Sequence, residues 1–95
     1  MPLLNPSSGP ITQVEVDFGA LSERSGTFTI IDAGVTPASV IVAVQAGDAP
    51  TGKSADENEM DTLVCRCTPG AGQFTLYVES ATGFVFGKFK INYVF

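Results

Sequence analysis

The sequence contains no histidine and no tryptophan, and only two of its 95 residues are cysteines. Without histidine the chain lacks the commonest general base and a frequent metal ligand, and it shows no acid and base paired for catalysis. We therefore expect no catalytic residues, no metal site and no cofactor. Cys65 and Cys67 are two positions apart and share one face of a strand, so we interpret them as reduced, buried thiols of a protein made in a reducing cytoplasm.

Charge is also scarce. Charged residues make up 16% of the chain, and the net charge is -5. No run of Lys or Arg is present to neutralise phosphates, so we expect neither a nucleic-acid partner nor binding to an anionic membrane surface. No apolar run approaches the roughly 18 residues of a membrane-spanning helix, and residues 1–10 lack the basic and apolar regions of a secretory signal. So little charge on a small domain favours packing against neighbouring subunits.

What the chain does contain is a series of segments in which apolar and polar residues alternate, the pattern of a strand with one buried face. Its length suits one domain, and we predict an extended arm over residues 1–10 and a single domain over residues 11–95. The fold class predicted is all-β, an antiparallel β-sandwich of about six to seven strands, jelly-roll-like or immunoglobulin-like. The predicted strands are residues 11–18, 27–31, 39–46 and 62–68, followed by an aromatic-rich stretch, residues 72–95, that we interpret as a β-hairpin.

Two segments carry more specific expectations. Residues 39–46 are apolar on both faces, so we place this strand in the middle of a sheet, covered on both sides. Phe84 and Phe86 are out of phase with Phe89. A bulge at Gly87 would bring all these rings to the core side, and we favour this interpretation. Without a bulge, Phe84 and Phe86 would lie on the opposite face, exposed or buried in a subunit contact, so both are candidate interface residues.

The N-terminal residues 1–10 hold three of the six prolines, which excludes a helix or a central strand there. Two interpretations stay open for this segment. It is either a disordered tail or an extended arm that lies on a neighbouring subunit, with Leu3 and Leu4 as its anchors.

Residues 47–61 form a long polar segment with three possible interpretations: a solvated loop, a loop that clasps a neighbouring subunit, or a calcium site. Its acidic residues lack the order of an EF-hand loop. The run GDAPTGKS matches the pattern of a phosphate-binding loop, but that loop needs a following helix in a parallel sheet, and an acidic stretch follows here. The interface candidates in this segment are Lys53, Asp56, Glu57, Glu59, Met60 and Asp61.

Six runs of the sequence are distinctive: VEVDFG, GTFTIIDAGVTP, APTGK, DENEMD, PGAGQFTLY and GKFKINY. Together they resemble a small β-rich module of tailed-bacteriophage virion proteins. Such modules occur in tail-fibre, baseplate and head-decoration components, and the resemblance covers nearly the whole chain from Val14. It implies assembly into symmetric oligomers, often trimers, on a virion surface, and it carries no catalytic residues.

We therefore expect a structural virion protein and not an enzyme: a capsid decoration protein or a tail or fibre component. Its expected partners are copies of itself, as a homotrimer, and other virion proteins such as the major capsid or tail proteins. We expect it to be made in the bacterial host cytoplasm and located in the virion. The alternative is a receptor-binding or glycan-binding module at a fibre tip, for which Tyr77, Tyr93 and Phe84 are the candidate sugar-stacking rings.

Overall fold

The structure, a computed structural model, describes residues 11–54 and 61–95. In these ranges the chain forms six strands: β1 (Thr12–Asp17), β2 (Ser25–Ile31), β3 (Val42–Gln45), β4 (Leu63–Pro69), β5 (Gln73–Ser80) and β6 (Lys88–Val94). They make two antiparallel three-stranded sheets, in the orders β1-β6-β3 and β2-β5-β4. The predicted all-β sandwich is confirmed. The described part of the chain contains no helix long and apolar enough to cross a membrane.

The core lies between the two central strands, β5 and β6. Both strands alternate strictly, so one side of each is buried. A fully buried Val, Leu, Ile or Phe side chain contributes about 1.5–3 kcal/mol to the stability of the fold through the removal of apolar area from water. The six central residues are Phe74, Leu76 and Val78 from β5 and Phe89, Ile91 and Tyr93 from β6, and Val16, Val35, Leu63 and Val85 complete the cluster.

The aromatic-rich stretch is not a hairpin, so that prediction is wrong. β5 pairs with β2 and β4, whereas β6 pairs with β1 and β3 in the other sheet. As facing strands, β5 and β6 pack their apolar sides against each other, and each has a hydrogen-bonded neighbour on both edges. The alternation of side chains is the same in a hairpin, so the sequence pattern does not distinguish the two arrangements.

The prediction of a central, doubly covered third strand is also wrong. β3 is four residues long and lies at the edge of its sheet. Ile41 and Ala43 pack against the core, but Val40, Val42 and Val44 are exposed. A strand that is apolar on both faces is buried on both faces only if a second layer of the protein covers its outer side. None of the described segments covers the outer side of β3.

In the remaining strands, alternate residues pack toward the core, as expected for strands with one buried face. They are Val14 and Val16 on β1, Phe18 just after it, Phe28 and Ile30 on β2, and Leu63, Cys65 and Cys67 on β4. Both cysteines are free thiols, half-buried. Burial, with a smaller contribution from the neighbouring Cys67, raises the pKa of Cys65 to about 11, and burial also raises the pKa of Cys67.

Candidate interaction surface

Four of the ten predicted interface residues lie in the described part of the chain: Lys53, Asp61, Phe84 and Phe86. Lys53 and Phe86 are in contact, and Phe84 lies on the same segment as Phe86. Asp61 is elsewhere, next to the start of β4, where its carbonyl accepts a hydrogen bond from Gln45. The other six predicted residues lie outside the described residues: Leu3, Leu4, Asp56, Glu57, Glu59 and Met60.

The two phenylalanines face solvent. Phe84 is 67% and Phe86 56% exposed, whereas Val85 between them is 2% exposed. The expectation that a bulge turns both rings to the core is therefore wrong. Val85 and Phe89, which lie two positions before and after Gly87, both point into the core. Phe84 and Phe86 are the neighbours of Val85 in the chain, so their rings point outward.

Backbone hydrogen bonds hold this segment as a short ribbon. Val85 and Glu23 exchange two hydrogen bonds of 2.8 Å, as residues paired in an antiparallel ladder do. Gly87 donates to the carbonyl of Gly19 and accepts from the N–H of Phe18, both at 2.8 Å. The segment 84–87 thus pairs with the loop between β1 and β2, and the two exposed rings project from a fixed backbone.

A further apolar side chain lies in that loop. Leu21 is 77% exposed, and it sits between Gly19 and Glu23, both of which pair with the segment 84–87. We name the surface of Leu21, Phe84 and Phe86 the aromatic surface. The sequence analysis missed Leu21, although a single large apolar residue in a polar connection was the available signal.

Cations flank both rings of the aromatic surface. The guanidinium carbon of Arg24 lies 5.5 Å from the ring centroid of Phe84. The Nζ of Lys53 lies 5.7 Å from the centroid of Phe86 and donates a 2.8 Å hydrogen bond to the carbonyl of Phe86. It also lies 3.2 Å from the centroid of Phe89, a fully buried ring. Lys53 therefore covers one end of the core of its own chain, and its ammonium group is engaged there.

The loop that carries Lys53 is fastened to β1 and β6. The N–H of Thr51 donates to Oε2 of Glu15 at 2.8 Å, and this bond lowers the pKa of Glu15. Asp48 accepts from Nζ of Lys90 and from the side-chain amide of Gln13, both at 3.1 Å. The bond from Lys90 is the main reason that the pKa of Asp48 is lowered. The described half of the long polar segment, residues 47–54, is thus attached to its own sheet.

A depression of about 440 Å³ lies beside Phe86. Its lining combines Phe86 with two lysines, Lys53 and Lys88, and one acidic residue, Asp17. An apolar side chain from another protein, with a polar group next to it, fits such a surface. The main lining residues are Asp17, Ala20, Thr51, Lys53, Phe86 and Lys88.

A second depression, of about 470 Å³, lies on the outer face of the β2-β5-β4 sheet. It is lined by hydroxyl and charged side chains around Tyr77, whose ring centroid is 4.5 Å from the guanidinium carbon of Arg66. Of the candidate sugar-stacking rings, Tyr93 is buried, Tyr77 carries Arg66 over its face, and Phe84 is exposed.

No family model, no curated protein and no solved structure matches this chain. The bacteriophage resemblance therefore stays a prediction from the sequence. In the ranges 11–54 and 61–95, no group of three or more His, Cys, Asp or Glu side chains comes together in a way that would hold a metal ion.

Proposed function

We propose that this protein is a structural component of a bacteriophage particle that assembles as a symmetric homo-oligomer and docks on other virion proteins. The observation that carries the proposal is the aromatic surface, in which Phe84 and Phe86 are more than half exposed on a hydrogen-bonded segment. The resemblance to β-rich virion modules, which covers nearly the whole chain from Val14, supports the bacteriophage origin.

The physical basis is the burial of exposed rings in an assembly. Removing one Phe side chain from water contributes about 1.5–3 kcal/mol, and aromatic residues with Arg nearby are typical of the residues that dominate binding energy at interfaces. Arg24 and Lys53 lie next to the rings and supply the polar rim. Because the backbone of residues 84–87 is already paired, little conformational entropy is lost when the rings are covered.

The first test locates the chain in the particle. Mass spectrometry of density-purified virions, together with immunogold electron microscopy, is expected to find the chain at a fixed copy number and at a regular position. Purified virions without the chain would contradict the proposal. Light scattering of the isolated protein tests the oligomer, and a monomer at millimolar concentration would contradict that part.

The second test addresses the aromatic surface itself. The double variant Phe84→Ser/Phe86→Ser is expected to bind particles that lack the protein at least about tenfold more weakly, since each 1.4 kcal/mol lost corresponds to a factor of ten. The control is Val40→Ser/Val64→Ser, which removes two apolar side chains elsewhere that are also more than half exposed. Equal binding by the two double variants would show that the aromatic surface is not the docking site.

The alternative function is a receptor-binding or glycan-binding module. The observation that favours it is the depression around Tyr77, which is lined by hydroxyl groups and by Arg66 and Glu79. It has less support because the Arg66 side chain would have to leave the Tyr77 ring before a sugar stacks there. On a glycan array, this function predicts binding that is lost in Tyr77→Ala and kept in Phe84→Ser; an array without hits would count against it.

A further inference from the structure

The outer edge of β2 offers backbone groups that no other described segment of the chain uses. β2 pairs with β5 on one side only, because it is the edge strand of its sheet. The two flanking hydrogen bonds, from Ser80 to the carbonyl of Arg24 and from Asp32 to the carbonyl of Gly72, show which residues face β5. Even-numbered residues bond to β5, so the N–H and C=O groups of the odd-numbered ones point to the open edge.

Glu23, two residues before the start of β2, follows the same alternation. It is odd-numbered, and its N–H and C=O groups bond to Val85 on the side away from β5. The next odd-numbered residues along the edge are Ser25, Thr27, Thr29 and Ile31. Each presents one donor and one acceptor, and their side chains are exposed on the outer face.

We propose that β2 of one copy pairs antiparallel with β2 of a second copy, so that Thr27 lies opposite the partner's Thr29 and the two three-stranded sheets become one six-stranded sheet. This inference rests on the proposed function, which places many copies close together, and it names the partner as a second copy and the contact as β2. The contact has twofold symmetry, so it is distinct from the threefold interface of a trimer.

The register is selected by the residues at the two ends of the strand. With Thr27 opposite the partner's Thr29, all four edge residues meet edge residues, and Ser25 faces the partner's Ile31. Thr–Thr pairs at the centre of the contact are favourable neighbours across strands.

Val85 excludes one neighbouring register. If the partner strand is shifted by two residues toward the N-terminal end of β2, its Ile31 lies opposite Glu23. The N–H and C=O groups of Glu23 on this edge are already bonded to Val85, so this register is blocked. The opposite shift places Ser25 against the partner's Ala33, which lies in a turn and not in a strand. The proposed register is therefore the one that uses every open group of the edge.

The composition of β2 also favours a second copy. Exposed edges usually carry charged residues, proline or a bulge, which discourage pairing, but the strand SGTFTII has neither charge nor proline, and its pairing with β5 is continuous. Self-pairing therefore brings no like charges together, although each chain has a net charge of -5. The N-terminal residues 1–10 are a poorer occupant, because their three prolines cannot donate to a ladder.

The test uses amide hydrogen exchange by NMR together with sedimentation velocity on the full chain, each over a concentration series. We expect dimer to form with rising concentration, and the amides of Ser25, Thr27, Thr29 and Ile31 to become at least tenfold slower in exchange over the same range. Fast exchange of these amides at every concentration would overturn the proposal. Slow exchange in a protein that stays monomeric would also overturn it, since another segment of the chain would then cover the edge.

Two variants complete the test. Thr27→Pro removes an edge N–H that β5 does not use, so the fold is expected to persist while the dimer dissociation constant rises at least tenfold. Thr29→Lys adds a charge at the edge, and Thr75→Lys is its control, on the same face but in the central strand. Dimers of Thr27→Pro as stable as the wild type would overturn the pairing. Particle binding through the aromatic surface is measured separately, and it is expected to survive Thr27→Pro.

Discussion

The hydroxyl group of Tyr93 donates a hydrogen bond of 2.6 Å to Oδ2 of Asp32 and thereby joins β6 to the turn that follows β2 in the opposite sheet. The Tyr93 ring is buried against Phe74, with 4.8 Å between the ring centroids. The other oxygen of Asp32 accepts a hydrogen bond from the N–H of Gly34 at 3.0 Å. One carboxylate therefore holds the turn and the two sheets together.

We expect Tyr93→Phe to lower the free energy of unfolding by about 1.5–3 kcal/mol, because it removes a hydrogen bond to a charged group and leaves the ring in place. Urea denaturation measures this. The matched control is Tyr77→Phe, which removes a hydroxyl from the outer face and is expected to change stability by less than about 0.5 kcal/mol. Equal effects of the two substitutions would contradict the role of the Asp32 bond.

Two raised pKa values predict a loss of stability at alkaline pH. Burial, and then the acceptor Asp32, raises the pKa of Tyr93 from 10.0 to about 12, and burial raises that of Cys65 from 9.0 to about 11. In both cases the folded protein holds the proton more tightly than the unfolded chain. The stabilising contribution is therefore complete below about pH 9 and is lost as the pH rises through about 11 for Cys65 and about 12 for Tyr93.

Unfolding free energies measured between pH 8 and pH 12 check this prediction, and ultraviolet titration of the phenols is expected to show a late step that belongs to Tyr93. The late phenol should disappear in Tyr93→Phe. At pH 8, both thiols should react with a maleimide more slowly than free cysteine does. If the thiols react as fast as free cysteine, Cys65 is not half-buried as the structure describes it.

The side chain of Gln45 connects β3 to the start of β4 in the other sheet. Its Nε2 donates to the carbonyl of Asp61 at 3.1 Å, and its Oε1 accepts from the N–H of Leu63 at 3.0 Å. We expect Gln45→Leu to be destabilising by roughly 1–3 kcal/mol for each backbone group that it leaves unpaired in the partly buried seam. Gln73→Leu, on the exposed outer face, is the control. A Gln45→Leu protein as stable as this control would exclude the bridging role.

Lys53→Met tests the cation at the end of the core. Methionine keeps the apolar length of the side chain but removes the ammonium group that contacts the Phe89 ring and the carbonyl of Phe86. We expect stability to fall by about 1–2 kcal/mol and amide exchange in residues 47–54 to become faster. Lys88→Met is the charge-matched control. An unchanged exchange rate in this loop would show that Lys53 does not hold it.

Much of the local structure was predictable because alternation is a local property. Phe74, Leu76 and Val78 show their inward phase in the sequence, as do Phe28 and Ile30. The phase of Phe84 and Phe86 was visible too, but whether Gly87 shifts it depends on the contacts of the surrounding backbone. Those contacts are made with Phe18 and Gly19, which are remote in the sequence.

The sequence by itself determined that the chain is all-β and which side chains of each strand turn inward, because successive residues of a strand point to opposite faces whatever its neighbours are. Only the tertiary structure decided that β5 and β6 face each other across the core, that β3 and β2 are edge strands, and that Phe84, Phe86 and Leu21 are exposed. Strand pairing is a choice among distant segments, and it depends on which arrangement satisfies the backbone hydrogen bonds and the core together.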